Sequence, residues 1–420
     1  EEKERYDEWC QSDDYSEKLD KGPPKIRKVS VPLQNSVVNA MAGQCFLSET
    51  VEMPSWLPDR SRPTLLSMSN GILDLDAFLD ERSDYFRPHS KDWFSAIRLD
   101  YPFDPKADCP LWMNYIKSSM RGDLERMAIL QEWAGYLLTT ANERQKFLAI
   151  EGEGGNGKTA YSAGMVAMLS KPNCSFLGLE KFGGQFDLGT TIGKAVNICG
   201  EVSELDKAAE AELKQFTGGD MMQFDRKRID PIVARPTAKL MMSWNNRPRF
   251  SDRSEGLWRR MILVPFLDKP EKVIEGMETH EWWERNGQTP GMLLWAIEGL
   301  RRLNEQGGFT VSKVACEAMT DYRKTANPAI EFLHEYTAEL PGNMIPKNHL
   351  YKLYQHFCHE TGHRFPLSQR VFGKEVSKVY PMARDAKMKI DDGRKNAYEG
   401  IGFTADSVFS MPTEIPHEKF

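Results

Sequence analysis

No run of about 20 apolar residues, the length needed to cross a bilayer, occurs anywhere in the sequence, and no signal-peptide pattern opens it. Neither a membrane partner nor export is therefore expected. Cysteine is sparse. Cys10, Cys45, Cys109, Cys174, Cys199, Cys316 and Cys358 lie far apart with no C-x-x-C pair. A disulfide framework is excluded on that pattern, and reduced thiols in a cytoplasmic setting (a bacterial host or a viral replication site) are expected. There is no surplus of positive charge either. Lys and Arg number 55 against 61 Asp and Glu, a formal net charge of −6, so the chain as a whole carries no signature of a nucleic-acid binder. Internal repeats and low-complexity tracts are missing, which excludes solenoids and linker-dominated proteins. The first residues, Glu1-Glu2-Lys3-Glu4-Arg5, include no methionine, as expected of a piece of something longer.

What remains is 420 residues, 40% hydrophobic and 28% charged, the composition of a globular protein with room for roughly two to four domains. Residues 152–159 read Gly-Glu-Gly-Gly-Asn-Gly-Lys-Thr, a complete G-x-x-x-x-G-K-[ST] pattern. An apolar run at 146–150 suits a buried strand before it, and Ala, Met and Leu at 160–169 suit a helix after it. Strand, glycine turn and helix make an anion site, because backbone N–H groups can curl around phosphates while the helix N-terminus adds partial positive charge. The loop residues Gly152, Glu153, Gly154, Gly155, Asn156, Gly157, Lys158 and Thr159 are thus the expected ATP cradle. In it Lys158 reaches the β- and γ-phosphates, and the Thr159 hydroxyl binds Mg²⁺.

A hydrolase needs more than a cradle. Residues 195–200 read as a buried strand ending in Glu201 beside the loop, where an acid can hold the Mg²⁺ shell, directly or through water, or polarise the attacking water. Glu204, a short step further, is the rival acid. A further strand at 239–244 ends in Asn245-Asn246, and the Asn245 amide can orient water against the γ-phosphate. Next comes Trp258-Arg259-Arg260 opening the strand 261–266. Two arginines there suit an anionic partner, and one can act as an arginine finger given to a neighbouring subunit. Between the acid and the amide, arms at 221–225 and 229–234 flank Arg226-Lys227-Arg228. That pattern describes a hairpin whose cationic tip can grip a phosphate backbone.

Elsewhere, 1–30 is charged and reads as a tether, and 65–75 as two short strands around Asn70-Gly71. From 109 to 142 the pattern is helical, with Met127, Leu130, Trp133, Ala134, Leu137 and Leu138 on one face. A second helical zone begins at Met292. The Trp282-Trp283 pair reads as core rather than as a base-stacking platform. Between Pro341 and Phe403 there are 11 Lys and Arg against 6 Asp and Glu. There, helices at 348–361 and 368–379 precede a basic hairpin around Asp391-Asp392-Gly393-Arg394, the order of a winged helix. His356, His359 and His363 with Cys358 invite a zinc reading, but Gly362 would end the helix before His363 and no second ligand pair is evident.

The series in this order resembles superfamily III helicases, most closely the primase–helicases of poxviruses, phages and plasmid-like elements. The similarity rests on Ser69 to Asp74, Tyr101 to Pro105, Glu132 to Leu138, the loop 152–159, and Leu213 to Asp220. It rests most on Asn245-Asn246-Arg247-Pro248 followed by Asp252, Gly256, Trp258-Arg259-Arg260 and Pro265-Phe266. The resemblance implies an α/β fold: a P-loop, AAA+-like ATPase core with an N-terminal α+β/helical region and a C-terminal winged-helix-like domain. The segments expected are a tether 1–30, an α+β region 31–108, a helical collar for oligomerisation 109–145, the ATPase core 146–270, a helical lid or linker 271–345 and the winged-helix-like domain 346–420. The implied activity is a hexameric ring hydrolysing ATP with Mg²⁺ while moving along single-stranded or forked DNA, serving replication of a virus, phage or mobile element. A primase domain or polymerase is an implied partner. By position, Lys158 and Thr159 match the first helicase motif, Glu201 the acidic motif, Asn245 the sensor and Arg260 the finger, with Arg259 its rival. Family members often carry two adjacent acids where Val202-Ser203 here separate Glu201 from Glu204, so the base stays open between them. The alternatives are a ring-forming DNA-binding ATPase for origin marking or assembly without processive unwinding, and a P-loop small-molecule kinase.

Overall fold

The computed structural model describes residues 2–11, 30–47, 51–200, 207–248, 250, 255–270, 274–361, 366–390 and 393–404. Two units can be recognised, Glu1–Glu52 and Met53–Phe420. The first holds helices Glu2–Gln11 and Val31–Gln44. Ser30 caps the second by accepting from the Leu33 N–H, and Val31, Val37, Val38 and Met41 stand exposed along it.

The second unit is mixed α/β. Its centre is a five-stranded parallel sheet made of Phe147–Glu151, Cys174–Ser175, Val196–Cys199, Lys239–Trp244 and Met261–Pro265. From one edge the strands run 261–265, 147–151, 239–244, 196–199, 174–175. A parallel sheet covered on both faces needs apolar residues in both phases of its strands, and these strands supply them. Leu148, Ile150, Val196, Met241 and Val264 face one core. That core also takes side chains from helices Pro110–Ser119, Leu124–Leu137, Lys158–Leu169 and Thr289–Gln306. Phe147, Ala149, Leu240, Met242 and Leu263 face a second core shared with helix Lys207–Gly218 and with Met222, Phe224, Trp258 and Tyr322.

The helical text of 109–142 is two helices, broken where Arg121 and Gly122 take positive φ (48° and 73°). The second of them is not one-faced as expected. Ile129, Glu132 and Tyr136 are buried along with Leu130, Trp133 and Leu137, because Thr289–Gln306 packs on it as well. The hairpin Leu65–Met68 and Gly71–Asp74 turns on Ser69-Asn70, one residue earlier than the Asn70-Gly71 turn expected. Trp283 is fully buried, 5.1 Å from Trp112 between ring centroids.

Helix Lys313–Ala326 leads through Asn327 into a C-terminal group with its own core. The order there is helix Pro328–Tyr336, strand Thr337–Pro346, helices Lys347–Glu360 and Gln369–Val379, then strands Arg384–Ile390 and Gly393–Phe403. The last strand lies in the middle of a three-stranded antiparallel sheet. This sheet begins ahead of the boundary at 346 expected from sequence. Its first strand carries no clean apolar alternation, with 339–344 exposed. Among the described residues no helix is long and apolar enough to cross a membrane, and no cluster of His, Cys, Asp or Glu could hold a metal ion.

Candidate functional site

The glycine loop runs from strand Phe147–Glu151, whose four apolar residues are fully buried, into helix Lys158–Leu169. Both neighbouring strands brace its start. The Gly152 N–H donates to the Trp244 carbonyl (3.3 Å), and the Phe266 N–H donates to the Glu151 carbonyl (2.7 Å). Gly152 has no room for a side chain, since a Cβ there would run into the Asn156 amide and the Phe266 carbonyl. Gly157 caps the helix in the left-handed conformation (φ 95°), which an L side chain adopts only at a cost. Its carbonyl accepts from the Tyr115 hydroxyl at 2.7 Å, fixing the loop against helix Pro110–Ser119.

Lys158 is 8% exposed. Its ammonium donates to the carbonyls of Gly152 (2.7 Å) and Glu153 (2.9 Å), to Asn156 Oδ1 (3.0 Å) and to Asn245 Oδ1 (2.8 Å). The strand order therefore brings together two expected site residues 87 positions apart. Asn156 is turned inward instead, 2% exposed, donating to the Phe266 carbonyl while accepting from Lys158. It braces the loop. Thr159 stands exposed in the first turn of the helix, where backbone N–H groups lack intrahelical partners. A left-handed glycine turn, a helix N-terminus and a lysine converging at one point fit a polyphosphate.

The acid strand lies one strand further out in the sheet. Val196–Cys199 does not adjoin the loop strand, because Lys239–Trp244 lies between them. Glu201 and Glu204 lie outside the described residues. Arg259 and Arg260 sit at the opposite end of the sheet from Lys158. Met261 is level with Phe147 and Pro265 with Glu151, so four residue steps, about 13 Å, separate the two ends. Arg260 cannot serve its own chain's loop. Its guanidinium donates to the Gly256 carbonyl, and its Nε finds no hydrogen-bond partner among the described residues. Burial and then the Arg259 charge push its pKa below the usual arginine value, opposed by Asp220. Lys146 is lowered likewise, by burial and then by Arg259.

The tri-basic segment does close a hairpin, Met222–Arg226 against Ile229–Ala234, with Arg228 at φ 65°. Lys227 and Arg228 are exposed. Arg226 folds back to donate to the Asp230 carbonyl at 2.6 and 3.0 Å.

One residue beside the loop, quoted from sequence only as part of the Asn245–Pro248 motif, was given no role there. Arg247, two positions past Asn245, makes a two-pronged contact with Glu151 (Nε to Oε2 2.7 Å, Nη2 to Oε1 2.9 Å) and reaches Asp321 at 2.6 Å. The hydrogen bond to Glu151, more than any other cause, raises its pKa above the usual arginine value. Glu151 was findable in principle, as a strand-end acid directly before the glycine loop.

A glycine loop between a buried strand and a helix, on a parallel sheet covered by helices, is the arrangement of a P-loop-like nucleotide-binding core. Residues 150–260 match a family of unknown function, DUF5906, and residues 324–406 match the family described as poxvirus D5 protein-like. A protein of Acanthamoeba polyphaga mimivirus, named provisionally as a helicase, is 22% identical over 338 residues, covering 74% of this chain and 34% of its own length. The chain thus spans about a third of that relative. The apo structure of the NrS-1 C-terminal region superposes with a TM-score of 0.47 at 12% identity, over 90% of this chain and 92% of that one. A second NrS-1 C-terminal structure, at 15% identity, gives 0.39 over 72% and 79%. The chain thus resembles poxvirus D5-like proteins and a viral protein provisionally named a helicase.

Proposed function

We propose that the chain is the ATP-driven motor of a superfamily III DNA helicase acting in replication of a virus, phage or mobile element. The observation that carries this is the 2.8 Å contact between Lys158 Nζ and Asn245 Oδ1 inside a glycine loop of P-loop form. A cation and an amide meeting there can hold a γ-phosphate and the water that attacks it in line. Lys158 binds the phosphates, Asn245 orients water, and Glu201 or Glu204 polarises it. The Thr159 hydroxyl and an acid of that pair are the oxygen donors suited to Mg²⁺, which neutralises phosphate charge when bound. The position of Arg260 supports a finger given in trans, hence a closed ring, taken here as a hexamer. Lys227 and Arg228 at the hairpin tip, with Arg226 behind them, follow single-stranded DNA.

We assign 109–145 to a collar, 146–270 to an AAA+-like core and 271–327 to a linker. The C-terminal group is read as winged-helix-like from its helix–strand–helix–helix–strand–strand order. We start it at Pro328, whose helix shares that core. The test is Lys158→Ala. The expected result is a folded protein without ATPase or unwinding, and unwinding that persists in the variant refutes the reading.

A further inference from the structure

Beside the phosphate loop, one guanidinium belongs to two structures at once. Arg247 grips Glu151, the last residue before the loop, with both prongs. Its third nitrogen holds Asp321 at 2.6 Å, and Nη2 also lies 3.4 Å from the Ala318 carbonyl. Asp321 and Ala318 belong to helix Lys313–Ala326. The guanidinium lies 5.2 Å from the centroid of the Tyr322 ring on the same helix. Tyr322, 1% exposed, donates its hydroxyl to the Pro248 carbonyl beside Arg247. The helix ends at Ala326, and Asn327 after it caps Pro328–Tyr336 and donates to Glu375 Oε2 on Gln369–Val379 at 3.1 Å.

Two physical demands meet at this residue. The Glu151 side chain is 12% exposed and stands next to a site built for anions. Unpaired, a carboxylate there would repel phosphate and pay for its own desolvation. Arg247 cancels that charge with the bidentate geometry that lysine cannot supply. The same planar group also holds Asp321, so Glu151 and the helix that leads into the C-terminal group share one guanidinium.

We propose that Arg247 is a positioning residue of the phosphate site that neutralises Glu151 at the mouth of the loop and, through Asp321, transmits the state of the loop to helix Lys313–Ala326. The inference rests on the reading of 152–159 as a nucleotide site and deepens it.

The experiment combines titration of a fluorescent ATP analogue with hydrogen–deuterium exchange over 313–326, measured with and without ATPγS. In the wild type, ATPγS slows exchange in that helix. Asp321→Asn takes the charge out of the tie while leaving the Glu151 pair, so nucleotide affinity stays within about twofold while the exchange response in 313–326 shrinks by at least half. Arg247→Ala weakens binding about tenfold or more, and adding Glu151→Gln restores most of the loss, because the stranded carboxylate is gone. A merely structural arginine gives a loss that Glu151→Gln does not restore, and that result overturns the first duty. Binding without any response of 313–326, or an Asp321→Asn response equal to the wild type, overturns the second. Should Arg247→Ala fail to fold, Asp321→Asn still decides the relay, and Arg247→Lys with and without Glu151→Gln decides the charge. If the wild type binds no nucleotide at all, the underlying site reading falls, and this inference with it.

Discussion

Replacing Asn156 by alanine separates a brace from a ligand. The side chain is buried, donates through Nδ2 to the Phe266 carbonyl and accepts from Lys158 through Oδ1. Alanine removes both hydrogen bonds. Lys158 keeps three other acceptors, Gly152, Glu153 and Asn245, so its charge is not stranded. The cost falls instead on the Phe266 carbonyl, which loses its side-chain donor inside the structure. Leaving such a group unsatisfied costs about 1–3 kcal/mol. That energy is lost locally, where the loop must hold its shape to receive phosphate. With about 1.4 kcal/mol for each factor of ten, nucleotide affinity should weaken by up to about 140-fold, and whatever part of that energy is lost without nucleotide lowers the unfolding midpoint instead. Asn156→Asp should be worse still, because a carboxylate turns an acceptor toward the Phe266 carbonyl. Isothermal titration with ATPγS alongside thermal unfolding reads both quantities. An Asn156→Ala protein that binds nucleotide within twofold of the wild type would show that the brace does not set the loop geometry.

The loop glycines should divide in the same assay. Gly152→Ala, blocked by Asn156 and Phe266, loses nucleotide binding, while Gly154→Ala, with nothing within 4 Å of its Cβ, folds with wild-type stability. Equal thermal stability losses in the two would contradict this packing. Lys239 is 2% exposed, its ammonium donating to the Thr139 carbonyl at 2.6 Å over the Tyr136 ring, and burial pulls its pKa from 10.5 to about 7. The folded value lies below the unfolded one. The penalty for burying the charge is therefore fully present below pH 7 and is relieved as pH rises toward 10.5. The stability difference between Lys239→Met and wild type in urea unfolding should fall by up to about 4 kcal/mol from pH 6 to 10, and a flat difference refutes the depressed pKa. At the hairpin tip, neutralising Lys227 and Arg228 should reduce the salt slope of single-strand binding by about 1.4, near 0.7 for each phosphate left without its cation. An unchanged slope removes the tip from the DNA path.

Much of the sheet was legible. The strands at 147–151, 239–244 and 261–265 fall within a residue or so of the apolar runs that announced them, since burial on both faces writes itself as continuous hydrophobic text. The helix after the loop begins at Lys158, two residues before its apolar text, because Gly157 has already turned the chain into it. Less legible were Thr337–Pro346, whose exposed middle hides the strand pattern, and the helix break at Arg121-Gly122, where apolar spacing runs across the turn. Arg247 received no role because an arginine in a loop has the same appearance in sequence whether it meets solvent or two carboxylates.

The sequence by itself determined what depends on neighbours in the chain, namely the glycine turn, the helix it starts, the cationic hairpin tip and the apolar strands. Only the tertiary structure decided what depends on strand order. It set Asn245 against Lys158, put Arg260 at the far end of the sheet, placed a strand between the loop and the acid strand, turned Asn156 inward and joined Glu151 to Asp321 through Arg247. Periodicity states which face of a strand is buried. It does not state which strand lies alongside, because that choice is made by packing between segments as far apart in the chain as Phe147 and Met261.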